Sequence, residues 1–123
     1  MKIWTGIITT QVAASREFYN RVFDAQTLYQ GDDDWIVLLQ IGDSELAFMQ
    51  PGLETQGAMF RPCFEGKGIW LTFEVADAAA EQARLQALDI PIAQSLRDEP
   101  WGDRHFVVMD PNGVALDLVQ RIA

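Results

Sequence analysis

An α+β fold made of two tandem βαβββ modules is the architecture that this 123-residue sequence predicts. Three coincidences point to it. Trp4 recurs as Trp70 and Trp35 as Trp101, both at an offset of 66, and LAFMQ (46–50) recurs as LDLVQ (116–120) at an offset of 70. Three matches in one order suggest duplication of a unit of about 50 residues, with four residues inserted ahead of the last strand. Residues 1–50 form the first module, 51–68 a Gly- and Pro-rich connector, and 69–123 the second, all within one domain. Each module is expected to curve a mixed sheet into a half-barrel around a cavity, with its helix packed on the outer face.

The elements follow from periodicity. The stretch IWTGIIT (3–9) alternates as a strand, with Ile3, Thr5 and Ile7 on one face and Trp4, Gly6 and Ile8 on the other. Ser15 is placed to cap a helix, SREFYNRVFD, in which Phe18, Tyr19, Val22 and Phe23 recur at helical spacing. Strands are expected around Ala25–Tyr29, Trp35–Ile41 and Glu45–Gln50, separated by turns at Gly31-Asp32-Asp33 and Gly42-Asp43. The second module opens with IWLTFEV (69–75), whose Ile69, Leu71, Phe73 and Val75 share an apolar face opposite Trp70, Thr72 and Glu74. Asp77 is a good cap for AAAEQARLQAL, rich in helix-forming alanine and leucine. A short strand near Ile92–Ser95 and another at HFVVM (105–109) follow. The turn Asp110-Pro111-Asn112-Gly113 then leads into the final strand, because Pro111 fixes φ and Gly113 tolerates positive φ.

That last strand carries an anomaly. Val114, Leu116 and Leu118 share a face suited to burial, whereas Asp117 sits between Ala115 and Val119 on the other. Apolar strand faces should pack on the helices, so Asp117, Trp4 and Trp70 should look into the hollow instead.

Bulk composition narrows the function classes. Nearly half the residues are apolar and 22% are charged, as in a soluble globular domain. A net charge of −9 argues against nucleic acid, which needs a concentrated basic surface. Such acidity suits solubility or a cationic ligand. No run is long enough to span a bilayer, the amino-terminal residues alternate rather than forming a signal peptide, and Cys63 has no partner for a disulfide. A cytoplasmic protein without membrane or nucleic-acid partners is the expectation. The Asp32-Asp33-Asp34 run reads as a solvated turn.

The paired βαβββ plan, the REFYNRVF helix (16–23) and the closing PWGDRHFVVMDPNGVALDLVQ (100–120) resemble the vicinal-oxygen-chelate superfamily. That superfamily contains glyoxalase I, extradiol dioxygenases, fosfomycin-resistance transferases and bleomycin-resistance proteins. The Pro-Trp-Gly-x-Arg-x-Phe and Asp-Pro-x-Gly segments are especially reminiscent of the bleomycin-resistance branch. In the metal enzymes of this superfamily, the resemblance places ligands on the first and last strands of each module. Those positions are Trp4, Ala47, Trp70 and Asp117 here. An indole N–H offers no lone pair and alanine offers no ligand atom, so one carboxylate is left where about three protein ligands are needed. No metal or other cofactor is therefore expected.

Two tryptophans and a carboxylate make a different kind of site. Indole faces stack on flat rings and attract cations, at about 0.5–2 kcal/mol per contact, and Asp117 adds a charge-assisted partner. Trp35 and Trp101 are expected at the rim, with Ala47, Glu74 and His105 completing the ligand-binding set. The resemblance implies a homodimer with clefts shared between chains, sequestering a small planar cation. The alternative is a glyoxalase-like lyase or isomerase, or a dioxygenase-related enzyme, that holds a metal through Asp117, Glu74 or Glu45 with His105. A third reading is a ligand-free interaction module, for which a filled cavity would be the sign, and Trp4 and Trp70 could instead be core. Asp117 could also be paired with Arg97, Arg104 or Arg61, while Asp98 and Glu99 are expected to be exposed loop charges.

Overall fold

The computed structural model describes all 123 residues and resolves two compact units, Met1–Glu65 and Gly66–Ala123. Each has the βαβββ order. In the first unit these are β1 (Thr5–Ile8), α1 (Val12–Phe23), β2 (Gln26–Gln30), β3 (Ile36–Ile41) and β4 (Ser44–Met49). In the second they are β5 (Trp70–Glu74), α2 (Ala78–Ala87), β6 (Gln94–Asp98), β7 (Asp103–Met109) and β8 (Ala115–Arg121). The two sheets have matching strand orders, β1-β4-β3-β2 and β5-β8-β7-β6. The first strand of each pairs in parallel with the last, and the other neighbours are antiparallel. Neither sheet closes into a barrel.

Period-two alternation decides what each sheet buries. In the first, Ile7, Val37, Leu39, Leu46 and Phe48 are buried on the face toward α1, where Tyr19 meets Phe48 at a centroid distance of 5.4 Å. Val12, Ser15, Tyr19 and Val22 form the buried stripe of that helix. In the second, Phe106, Val108, Leu116 and Leu118 are fully buried together with Leu85 of α2, which packs on β6, β7 and β8. Burying a side chain of this size contributes roughly 1.5–3 kcal/mol.

Several local expectations are corrected. Helix α1 starts at Val12 with Gln11 as its flanking residue, three residues ahead of Ser15. Ala13 and Ala14 extend the helix at no side-chain entropy cost, and the Ser15 hydroxyl is buried and donates back to the Gln11 carbonyl at 2.7 Å. Asp77, by contrast, does cap α2, accepting from the Ala80 N–H at 3.0 Å. Ile3, Trp4 and Ile69 lie outside β1 and β5 and are exposed, because parallel pairing with β4 and β8 begins only at Thr5 and Trp70. Trp35 closes a 3₁₀ turn over Asp32–Asp34, and β3 begins one residue later. Strand β6 runs two residues later than Ile92, and β7 begins two residues before His105.

The strand register also revises the repeat. Ile36 pairs with Met49, and His105 pairs with Val119, the counterpart of Met49. His105 is therefore the equivalent of Ile36. Trp35 and Trp101, which stand one and four residues before those positions, are not equivalent.

The turn before β8 forms as its residues demand. Gly113 has φ +78°, and the buried Asp110 accepts from the backbone N–H groups of Asn112 at 2.8 Å and Val114 at 2.9 Å. Part of the 51–68 segment is held within the first unit, with the Phe64 N–H donating to the Ile8 carbonyl at 2.8 Å.

Candidate functional site

The face of the second sheet turned away from α2 forms a pocket of about 300 Å³. Register explains its lining. Trp70, Thr72 and Glu74 alternate along β5; Asp117, Val119 and Arg121 alternate along β8; Asp103 and His105 come from β7, and Trp101 from the turn before it. Five of the predicted site residues meet here: Trp70, Glu74, Trp101, expected at the rim, His105 and Asp117. Trp4, Trp35 and Ala47 belong to the first unit. Trp4 is 51% exposed, Ala47 is buried beside Gly6, and the Trp35 indole lies over Gly31.

The tryptophans are not core. Trp70 is 65% exposed and Trp101 69%. Each indole N–H is held by the side chain two residues on, Trp70 donating to Thr72 Oγ1 and Trp101 to Asp103 Oδ2, both at 2.9 Å. With the N–H groups engaged, the rings have their aromatic faces left to offer. Glu74 pairs with Arg121 at 3.0 Å, where both side chains are largely solvated, so this pair adds little to stability.

Asp117 has found a partner other than the three arginines considered from sequence. Its Oδ1 accepts from His105 Nδ1 at 2.6 Å, and on the other side of the ring His105 Nε2 lies 2.9 Å from Glu99 Oε2. The reason is geometric: β7 and β8 place His105 one pair along from Asp117 on the same face, whereas Arg97 and Arg104 find Glu99 and Asp98. Glu99 is not an exposed loop charge. Its side chain is only 10% exposed, and Oε2 also takes two N–H groups of Arg97, at 2.9 and 3.0 Å. The result is a continuous chain, Asp117–His105–Glu99–Arg97. Sequence reasoning missed Glu99; the available signal was a hairpin at Pro100-Trp101-Gly102, which folds residue 99 back toward β7. The Glu99 N–H indeed donates to the Asp103 carbonyl at 2.7 Å.

The electrostatics follow from this chain. Burial by itself would pull His105 below its ordinary value of 6.5, but hydrogen bonds to Asp117 and Glu99, with the charges of both, outweigh it and the net shift is upward. Hydrogen bonds from His105 first and Arg97 second hold Glu99 below its ordinary 4.5. Arg104 likewise holds Asp98 below 3.8.

The residues do not fit a divalent metal. Of the four positions where the resemblance places ligands, only Asp117 carries a donor, and one of its oxygens is taken by His105. Both ring nitrogens of His105 face carboxylates, Glu74 is on Arg121, and Glu45 is on Lys2. No three His, Cys, Asp or Glu side chains converge in a way that could hold a metal ion.

Comparison with known proteins defines the class. Residues 3–118 match the family model for the glyoxalase/bleomycin resistance protein/dioxygenase superfamily. The chain belongs to that superfamily. Among solved structures it is similar to a lactoylglutathione lyase from Agrobacterium tumefaciens, at 20% identity and a TM-score of 0.79, covering 97% of this chain and 92% of that one. It is also similar to a glyoxalase/bleomycin resistance protein/dioxygenase from Nocardioides, at 19% identity and a TM-score of 0.82, covering 99% and 84%. A third is TnmS3, an antibiotic binding protein from Streptomyces sp. CB03234, at 19% identity and a TM-score of 0.74, covering 98% and 96%. At these identities the likeness is one of fold. No curated protein matches the chain. No helix is long and apolar enough to cross a membrane.

Proposed function

We propose that this protein binds a small, planar, cationic molecule in the pocket of its second module, without a metal, and that it acts by sequestration. The observation that carries the reading is the pairing of two exposed indoles, Trp70 and Trp101, with the Asp117 carboxylate in one pocket. Flat rings stack on the indole faces. Asp117 Oδ2, which has no hydrogen bond within the protein, receives the ligand's positive donor. A pocket of about 300 Å³ suits a ligand of two or three fused rings. The similarity to an antibiotic binding protein supports the same direction.

Tryptophan fluorescence tests it. Titration with planar cations should give saturable quenching, with affinity falling about tenfold in Asp117→Asn, the loss expected for a charge-assisted hydrogen bond. Trp70→Phe should weaken binding as well. Absence of quenching by every such compound would overturn the reading.

The competing reading, a metal-dependent lyase or isomerase, is favoured only by the likeness to the lactoylglutathione lyase. Stoichiometric nickel, zinc, manganese or iron in protein purified without chelator would decide for it. In keeping with the resemblance, the functional unit is proposed to be a cytoplasmic homodimer with clefts shared between chains, and a monomer by light scattering would count against that.

A further inference from the structure

A carboxylate outside the pocket touches the ring that holds Asp117 within it. Asp117 is the carboxylate proposed to meet the ligand, yet its Oδ1 is already held by His105. The opposite ring nitrogen faces Glu99, which does not line the pocket. An ionised carboxylate only accepts hydrogen bonds, so a ring between two of them must donate from both nitrogens. That requires the imidazolium form. The charged groups around it are Asp117 and Arg121 from β8, Asp103 on its own strand, Glu74 from β5, and Glu99 with Arg97 on the β6 side.

We infer that Glu99 is a specificity-determining residue: by holding His105 as an imidazolium against Asp117, it sets how strongly the pocket attracts a cation over a neutral molecule of the same shape. The inference rests on the proposed cation site and adds a control to it. While Glu99 accepts from Nε2, a positive charge lies 2.6 Å from the ligand-binding carboxylate and offsets part of its field. If the acceptor is replaced by an amide that can donate, the ring can stay neutral, with Nδ1–H still on Asp117 and Nε2 accepting. The carboxylate then keeps its position but loses its counter-charge. Arg97 lies farther out, is more than half exposed, and is correspondingly screened.

The consequence runs against the usual effect of damaging a site. Glu99→Gln should bind 9-aminoacridine, a planar cation with N–H donors at pH 7, about threefold more tightly than the unaltered protein, while the affinity for neutral acridine stays the same. A merely structural role for Glu99 would weaken both probes together. His105 is the single histidine of the chain, so its ring nitrogens can be observed directly by nuclear magnetic resonance without assignment. In the unaltered protein at pH 7, both should carry protons. In Glu99→Gln, one should not.

Three results would overturn the inference. A neutral His105 ring in the unaltered protein removes its basis, even if Glu99→Gln fails to fold. Cation affinity that is unchanged or weaker in Glu99→Gln rejects the control while leaving the proposed pocket standing. Failure of both probes to bind the unaltered protein rejects the cation site and the control with it.

Discussion

The two modules share a strand order and a register, yet their open faces are chemically opposite. On the first sheet, Gly6, Ala47 and Leu38 lie side by side across β1, β4 and β3. The equivalent row of the second is Thr72, Asp117 and Val107. One pair along, Ile36 and Met49 stand where the second module has His105 and Val119. The diagonal that is Ile36 and Ala47 in one copy is His105 and Asp117 in the other. The faces packed on the helices differ far less, with Phe48, Leu46, Val37 and Leu39 in one and Leu118, Leu116, Phe106 and Val108 in the other. A duplicated unit must keep the face that pays for folding, because its apolar area is what stabilises each unit. The other face is where the copies have diverged.

This comparison can be broken first at the helix-facing side. Phe48→Ala and Phe106→Ala should each cost about 3–5 kcal/mol, read from urea unfolding. A much smaller loss in one would mean that the closed faces are not equivalent. Next in size is Ala47→Asp, which puts the second module's carboxylate into the first. With no imidazole beside it, at a position only 5% exposed, it should cost about 3 kcal/mol. Adding Ile36→His should recover about 1 kcal/mol by restoring the diagonal, and strict additivity of the two substitutions would reject the equivalence. Asp77→Ala, which removes the cap of α2, should cost about 1 kcal/mol; at α1 the flanking Gln11 makes no such side-chain bond, and its own N–H is met by the Thr9 hydroxyl at 3.0 Å.

The smallest effect expected is on pH dependence. His105 has a raised folded value, so its contribution to stability is complete below the ordinary 6.5 and is lost as pH rises through the raised value. Unfolding midpoints of the unaltered protein should therefore fall from pH 6 toward pH 9 relative to His105→Asn, and parallel profiles would remove His105 from the balance. Glu99 and Asp98 act with the opposite sign. Their values are lowered, so their contributions stand above the ordinary 4.5 and 3.8 and are lost in acid.

Much of this was legible in the residues. Period-two alternation gave the faces of β5 and β8, and the Asp-Pro-Asn-Gly turn marked the hairpin before β8. The mixed face of Asp117 correctly announced a pocket. Helix α1 was misread at its start because Ser15 is a strong cap by type, but the alanines before it propagate the helix and its hydroxyl has a carbonyl to bond inside it. Trp35 and Trp101 looked equivalent because an offset compares positions along the chain, whereas equivalence in a sheet is set by hydrogen-bonded partners.

The sequence by itself determined the duplicated βαβββ plan, since alternation and turn residues act over a few neighbours and leave their trace in the order of residues. It also determined that one carboxylate would face a hollow. Only the tertiary structure decided what that carboxylate touches. His105 lies 12 positions from Asp117 and Glu99 a further 6 from His105, and the sequence offered three arginines as equally good partners. Strand register passed over all three in favour of His105, because hydrogen-bonded pairing fixes which side chains stand within 3 Å of one another, and charge alone does not.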